Sequence, residues 1–278
     1  APKKKRPIEV GAEAEPVKLG SMLLTLVEPH RGHEVAYNRW YERDHFYAGC
    51  LIFPGLFAGR RWVAPRQLKD LRFPETSPFA EPYDAGSFLS IYWRHQGLEN
   101  AGQNWDGPSV FWLYENGRGF SERTHAHTAN YDFMSVAYKD DDGVPIELAL
   151  DHDYAGLAVV VTEPSGGVSS EQLLAWLEAS AAPLLFAHEG PDAIASWTLN
   201  EQFRSADRRE APMSLGTAGG DENRVLQLCF LNTEPTRCWD AFRRYGEEID
   251  RGGVGRVSFA APFLPTVIGT DTYVDQIW

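Results

Sequence analysis

The chain of 278 residues carries 26 lysines and arginines against 39 aspartates and glutamates, which gives a formal net charge of −13. This acidity argues against a nucleic-acid partner and against an anionic membrane face, because both need a positive protein surface. No apolar run approaches the roughly 18 residues of a membrane span. Three cysteines without a CxxC pair are not the pattern of a secreted disulfide scaffold. We therefore expect a cytoplasmic protein.

The first predicted segment is a flexible arm over residues 1–20. It opens with APKKKR and lacks the apolar stretch of a secretory signal. Its polar composition is typical of a solvated terminus.

Beyond the arm, two parts of the chain repeat one order of predicted elements. Each copy has a strand ending in Glu-Pro, a helix with a tryptophan, a Pro/Gly turn and a strand with a tryptophan near its end. The landmarks are Glu28, Trp40, Pro54 and Trp62 in the first copy, and Glu163, Trp176, Pro191 and Trp197 in the second. Three matches at an offset of 135 or 136 residues indicate an internal repeat.

The second half of each copy continues the pattern. Strands are predicted at 87–93 and 225–231, helices at 108–118 and 236–250, and last strands at 133–139 and 257–263. We expect Thr233 to cap the second of these helices and Gly252-Gly253 to end it. The order β-α-β-β-α-β, found twice, predicts an α+β fold of two tandem ferredoxin-like units. We place these units at residues 21–150 and 151–278, and expect their sheets to close one barrel within the chain.

One short motif carries a family resemblance. The helix sequence Asn38–His45 (NRWYERDH), followed by Phe53-Pro54-Gly55 and Arg60-Arg61, resembles the EthD and antibiotic-biosynthesis-monooxygenase type of dimeric α/β barrel. The resemblance implies the barrel fold and a cavity for a small molecule. It does not imply one reaction, since that superfamily includes cofactor-free oxygenases, cyclases, isomerases and haem-dependent dehydratases. The second copy has Ala181 where His45 would repeat.

The first candidate site lies on this helix. Tyr37, Tyr41 and His45 are spaced i, i+4, i+8, so they share one helical face. An imidazole titrates near neutrality and suits proton transfer. We expect His45 to act as acid or base, with Tyr41 or Tyr37 polarising a substrate oxygen. A histidine bonded to a backbone carbonyl at the helix rim is the alternative.

The second candidate is His125-Ala126-His127. In an extended strand both imidazoles face one side. Together with Asp132 they could hold a divalent metal, although a polar loop explains them as well and we assign no metal. Without a metal, one of them could serve as acid or base. Asp140–Gly143 predicts a turn rather than a calcium loop.

Substrate-binding candidates come from aromatic and arginine side chains. Aromatic rings can line a pocket for a planar ligand, and arginine can hold an anionic oxygen. The candidates are Arg60, Tyr92, Trp93, Trp112 and Tyr131. Core packing and solvated strand edges are the structural explanations for the same residues.

These observations lead to a functional expectation. There is no phosphate loop, no GxGxxG, no GxSxG and no HExxH. We expect a cofactor-independent isomerase, cyclase or lyase that acts on a hydrophobic aromatic molecule in the barrel cavity. The alternatives are a metal- or haem-dependent lyase or oxygenase, and a non-catalytic carrier for an oxygenase pathway. A homodimer is expected.

Overall fold

The computed structural model describes residues 16–98, 106–200 and 219–278, so the predicted arm falls largely outside the described residues. Eight strands close into one barrel. They are β1 (Leu19–Pro29), β2 (Leu56–Val63), β3 (Phe88–His95), β4 (Arg123–Tyr138), β5 (Gly156–Pro164), β6 (Pro191–Leu199), β7 (Val225–Leu231) and β8 (Gly255–Pro265).

The strand order is the same in both halves. It runs β4-β1-β3-β2 in the first half and β8-β5-β7-β6 in the second, with antiparallel pairing throughout. The halves join where β2 meets β8 and where β4 meets β6. The predicted α+β fold of two ferredoxin-like units in one intrachain barrel is confirmed.

Helices cover the outer face of each half. They are α1 (Glu34–Trp40), which continues as a π-helix (Tyr41–Leu51), α2 (Arg66–Lys69), α3 (Asp106–Glu115), α4 (Ser170–Trp176), which continues as a π-helix (Leu177–Ala181), α5 (Ala182–Phe186) and α6 (Pro235–Gly252). Short 3-10 turns lie at Ile146–Leu148 and Val274–Gln276.

Some predicted boundaries need correction. The N-cap of α6 is Glu234 rather than Thr233, because Pro235 begins the helix directly after it. The helix ends as expected, since Gly253 adopts the left-handed conformation with φ 69°. Strand β4 starts at Arg123, ahead of the predicted start at Phe133. The sequence pattern does not predict this first part, because the residues RTHAHT lack the apolar alternation that is typical of a strand.

The barrel interior is filled by one side of every strand. Alternate residues point inward, and most of them are aliphatic or aromatic. A second apolar cluster lies between the second-half sheet and its helices, and a third lies beneath α1. Glu28 and Glu163, the repeated strand-end acids, each accept a backbone N–H from the segment just before the neighbouring strand of the sheet, from Gly86 before β3 and from Asp221 before β7.

Two connecting segments pack into the barrel ends. Phe79, from the connection between β2 and β3, stacks on His127 of β4 and Phe259 of β8 at 3.8 and 4.8 Å between ring centroids. Tyr154, from the segment between the halves, lies 5.2 Å from Phe230 and donates a hydrogen bond to Asp192. Most of the connection between β6 and β7 lies outside the described residues.

Across the three described ranges, no helix combines the length and the apolar character that crossing a bilayer requires.

Candidate functional site

The site-bearing element is α1 with its π-helical continuation. Tyr37 and Tyr41 are buried against the first-half sheet. His45 packs edge-on against Tyr41 at 5.0 Å and stacks on Trp40 at 4.5 Å, and it stays half-buried. The helix therefore brings Tyr37, Tyr41 and His45 together, as their spacing predicts, and Trp40 joins them.

The wider helical turn explains how His45 reaches this position. In a π-helix the neighbours along the axis are five residues apart. His45 Nε2 consequently faces Cys50 Sγ at 4.0 Å. Gly49 lies directly under the ring, since a Cβ there would be 2.2 Å from His45 Nδ1.

Strand β4 brings the second histidine to the same group of side chains beneath α1, which is called the pocket below. Its pairing with β1 shifts between Leu26 and Val27, where a bulge takes up Ala126. His125 therefore pairs with Val27 on the helix side, whereas His127 pairs with Leu26 and points into the barrel. The expectation that both imidazoles face one side of an extended strand is wrong for this reason.

Arg123 anchors this part of the pocket. Its Nε donates to His125 Nε2 at 3.1 Å, and its other nitrogens donate to Phe120 O and to Tyr114 Oη. The guanidinium also lies over the Trp40 ring at 4.6 Å. Because His125 Nε2 accepts this bond, we assign its proton to Nδ1, which lies within hydrogen-bond distance of the hydroxyls of Thr25 and Thr128.

Burial and positive charge act together on the two imidazoles. Burial lowers the pKa of His45 to about 3, and the charges of Arg123 and Arg61 add to this effect while Asp44 opposes it. Burial also lowers the pKa of His125 to about 3, again with Arg123 contributing. Both rings are therefore neutral at physiological pH.

The tyrosines of the pocket are also neutral. Burial raises the pKa of Tyr37 to about 12, and it raises the pKa of Tyr41 well above its usual value. Tyr41 Oη lies 2.8 Å from Tyr92 Oη, so the two hydroxyls share a hydrogen bond. These phenols are hydrogen-bond donors rather than bases.

The other predicted site residues lie in different places. Tyr92 shares the helix-side pocket through Tyr41. Trp93, Tyr131 and Arg60 lie on the barrel side with His127, and Trp112 is 53% exposed on α3. His127 Nε2 bonds Tyr131 Oη at 2.9 Å. Residues on opposite faces of one sheet cannot form a single site, so the predicted set divides into two.

Three contributors to the pocket were missed from the sequence. They are Trp40, Arg123 and Phe120. The alternation Arg123-Thr-His125 is a strand signal that could have identified the arginine. Phe120 lies between α3 and β4, and nothing in the local pattern predicts its stacking on Trp40.

The second half has no counterpart to this pocket among the described residues. Ala181 stands at the position of His45 and is fully buried. The described part of the space between the second sheet and its helices is filled by an apolar cluster that includes Leu173, Leu177 and Phe242. The imidazoles and the arginine of the site therefore belong to the first half.

Within the described ranges, no group of three or more His, Cys, Asp or Glu side chains could hold a metal ion. Both nitrogens of His125 are occupied by hydrogen bonds, and His127 is bonded to Tyr131 and stacked on Phe79.

His45 does not fit an axial haem ligand either. Trp40 covers its ring face, and the π-helix continues past Nε2 to Cys50 at 4.0 Å, which leaves no room for a porphyrin around that nitrogen. None of the three buried or half-buried imidazoles of the sheet and its helix fits a haem iron.

Comparisons with known proteins give similar folds only. No protein-family model and no curated protein matches the sequence. An anthrone oxidase-like protein is similar at a TM-score of 0.53 and 10% identity, over 90% of this chain and 94% of the other. A "Putative Chlorite dismutase" is similar at 0.50 and 10% identity, over 94% and 99%. A "Putative monooxygenase" from Fusobacterium nucleatum is similar at a lower TM-score of 0.47 and 10% identity, over 90% of this chain and 93% of the other.

These names correct the functional expectation. The sequence led us to expect a cofactor-independent isomerase, cyclase or lyase. The similar structures are instead described as an anthrone oxidase-like protein and a "Putative Chlorite dismutase", and these descriptions favour the oxygenase alternative. At 10% identity the likeness itself shows the fold alone: the chain has the architecture of the dimeric α/β-barrel superfamily that its first helix resembles.

Proposed function

We propose that the chain is an oxidase or monooxygenase of a small aromatic molecule, and that the pocket beneath α1 is its site. The observation that carries the proposal is the half-buried His45–Trp40 pair above two buried tyrosines and beside Arg123. The name of the anthrone oxidase-like structure supports the same chemistry.

The chemistry follows from what the pocket stabilises. An aromatic carbon acid or phenol gives electrons to oxygen far more readily as its anion. Positive charge near the ring favours that anion, and an apolar surround strengthens the effect. In the balanced reaction of an anthrone with molecular oxygen, the methylene carbon loses both hydrogens and gains one oxygen atom to become a carbonyl. The other oxygen atom leaves with those hydrogens as water.

His45 is the proposed proton acceptor. Its Nε2 faces only a long contact to Cys50 among the described partners, whereas His125 is committed to Arg123 and the threonines. An imidazole with a pKa of about 3 is a weak base. Binding of an anion offsets the charges of Arg123 and Arg61, so proton transfer to His45 becomes easier as the substrate anion forms. Tyr37, whose buried hydroxyl has no hydrogen-bond partner among the described residues, would donate a hydrogen bond to the substrate oxygen.

The decisive experiment is oxygen consumption with anthrone as the probe. We expect one O2 consumed per anthrone, and one atom of 18O in the product when the gas is 18O2. His45→Ala should lower kcat by roughly 10²–10⁴-fold. His188→Ala, a change at a half-buried histidine of the second half, is the matched control. A wild-type protein that leaves anthrone and oxygen unchanged contradicts the proposal, and so does an unchanged rate in His45→Ala.

The repeat supports a narrower proposal about origin. The two halves share one strand order and a π-helix at the same position, Tyr41–Leu51 and Leu177–Ala181. We propose tandem duplication of an EthD-like unit, with units at 21–150 and 151–278. The homodimer and the cytoplasmic location stay predictions.

A further inference from the structure

The segment that follows β8, residues 266–278, leaves the second half of the barrel and lies along helix α1 and its continuation in the first half; we call it the latch. Its first part is bonded through the backbone by Asn38 and Glu42. Its last residue, Trp278, donates a hydrogen bond to Glu34. Because the three helix residues are spaced i, i+4, i+8, the latch follows one face of the helix that carries the candidate site.

Two apolar side chains anchor the second part of the latch. Val274 and Ile277 are buried, although the other residues of the latch are exposed or half-buried. Both anchors belong to the apolar cluster beneath α1 that includes Tyr37 and Tyr41. As the buried members of a surface segment, they cover this cluster from the solvent side.

The remaining contacts of this second part lie at its edges. Lys69 donates a hydrogen bond to Ile277 O, and the Trp278 ring has Lys69 at 5.2 Å and Arg31 at 4.8 Å. The backbone-to-backbone hydrogen bonds of residues 274–278 are turns within the latch, and among the described residues they join no strand of the barrel. A surface segment of this kind opens at a lower free energy than the sheet it covers.

The backbone is strained directly before the first anchor. Tyr273 has a φ of 70°, and within the described ranges it is the one non-glycine residue with a positive φ. A tyrosine stays in the left-handed region only where its surroundings hold it there. Burial of Val274, the next residue, supplies that hold. Release of the anchors would therefore relax Tyr273, which makes this residue suited to act as a hinge.

Polar groups without partners lie in the cluster behind the anchors. Tyr37 Oη and two nitrogens of Arg61, Nε and Nη2, are buried and have no hydrogen-bond partner within the described residues. The Arg61 guanidinium lies over the Tyr37 ring at 5.8 Å and over Phe88 at 5.2 Å. Its third nitrogen, Nη1, is held by Asn38 and Glu42, which also hold the latch. Buried donors are normally paired, so these three are suited to a ligand oxygen.

We propose that the latch controls access to the candidate site. The structure shows the closed arrangement, and residues 274–278 swing outward at Tyr273 to admit a ligand. An oxygen of that ligand is then bound by Tyr37 and Arg61. This inference rests on the proposed function for the place of the site, and it adds how the site is opened and closed.

The first test measures access without turnover. Val63 and Val160 are buried valines on the helix-facing sides of the two sheets, and the latch lies over the first sheet only. We expect Val63→Cys to react with dithiobis(nitrobenzoate) roughly tenfold or more faster than Val160→Cys under native conditions. Peptide mass spectrometry separates both from the three native cysteines, which are buried. Equal rates at the two positions overturn the proposal.

The second test weakens an anchor. Ile277→Ala, added to the Val63→Cys protein, should raise its reaction rate a further tenfold or so, because the closed latch loses buried apolar contacts. The same change should leave the rate of Val160→Cys as it was. Gln276→Ala, at the exposed neighbouring residue, is the matched control. An unchanged rate at residue 63 in the Ile277→Ala protein contradicts the latch.

The third test closes the latch covalently. Glu34→Cys and Trp278→Cys, joined by a bismaleimide, fix residue 278 to α1. This protein should oxidise anthrone roughly tenfold or more slowly than the same double variant capped with N-ethylmaleimide, because access then limits turnover. Equal turnover of the two forms overturns control of access. Since thiol labelling involves no turnover, a latch that opens over a protein inactive on anthrone refutes the oxidase and retains the opening.

Discussion

His45 Nδ1 occupies the space directly above Gly49, a residue that follows His45 by nearly one turn of the π-helix. A side chain at residue 49 would place its Cβ 2.2 Å from that nitrogen. No real contact is that short, so the imidazole keeps its place on Trp40 only while residue 49 is glycine.

Gly49→Ala should therefore displace His45. In an ordinary helix this change is mildly stabilising. Here we expect a loss of about 1–3 kcal/mol in the free energy of unfolding because of the overlap, together with at least a tenfold loss of anthrone oxidation. Gly166→Ala, in open space, is the control. Denaturant unfolding and oxygen consumption measure both effects, and a Gly49→Ala protein as active as wild type would show that the position of His45 is unimportant.

His127→Phe separates the two faces of the first-half sheet. Residue 259 takes the equivalent position in the second half, because Leu26 pairs with His127 as Val161 pairs with Phe259. Phenylalanine is thus already accepted on one side of the barrel, stacked against Phe79. We expect anthrone oxidation within about twofold of wild type, and a stability change of about 1 kcal/mol from the lost bond to Tyr131. A large loss of kcat with normal stability would move the site into the barrel.

Acid should destabilise the protein through its two neutral imidazoles. The pKa of His45 and that of His125 are near 3 in the folded chain, whereas an unfolded histidine titrates near 6.5. Between these values the unfolded chain binds more protons, so the free energy of unfolding falls as the pH drops from about 6.5 toward 3.

The variant that tests this pH dependence is His125→Gln. It should flatten the decline between about pH 7 and 5, a range above the titration of ordinary carboxyl groups. Urea unfolding at each pH gives the slope directly, and identical slopes for wild type and His125→Gln would contradict the assigned pKa shift.

Asn38 joins α1, the sheet and the segment after β8. Its Oδ1 accepts from Arg61 Nη1 at 2.9 Å, and its Nδ2 donates to Thr270 O and Asp271 Oδ1. Asn38→Leu should lower the free energy of unfolding by about 1–3 kcal/mol for each buried partner that is left unpaired. Asn116→Leu, an exposed asparagine bonded within its own helix turn, should cost less than about 0.5 kcal/mol. Equal thermal shifts for the two variants would show that Asn38 is not the link.

The repeat was readable in the sequence because it lies in strands, turns and tryptophans, which local pattern determines. The strands that carry Trp62 and Trp197 and the glycine stop after α6 follow from such signals, although these strands end at Val63 and Leu199 rather than at the tryptophans. These local features are sufficient to predict the barrel architecture without knowledge of any long-range contact.

The pocket was only partly readable. Tyr37, Tyr41 and His45 follow from helical spacing. The separation of His125 from His127 depends on a bulge that pairing with β1 imposes, and no local pattern in β4 reveals it. The low pKa of His45 depends on burial and on Arg123, which is distant in sequence. The periodicity of a sequence does not predict long-range contacts of this kind.

Closing the barrel within one chain also frees the two halves from symmetry. A barrel made of two identical subunits must carry every substitution twice, so it has either two equal pockets or none. Here Ala181 is fully buried in the second half, while the first half carries the half-buried imidazole of His45 at the matching helix position. The binding stoichiometry should accordingly be one ligand per polypeptide. The apolar packing of the second half can also offset the cost of burying polar groups in the first half.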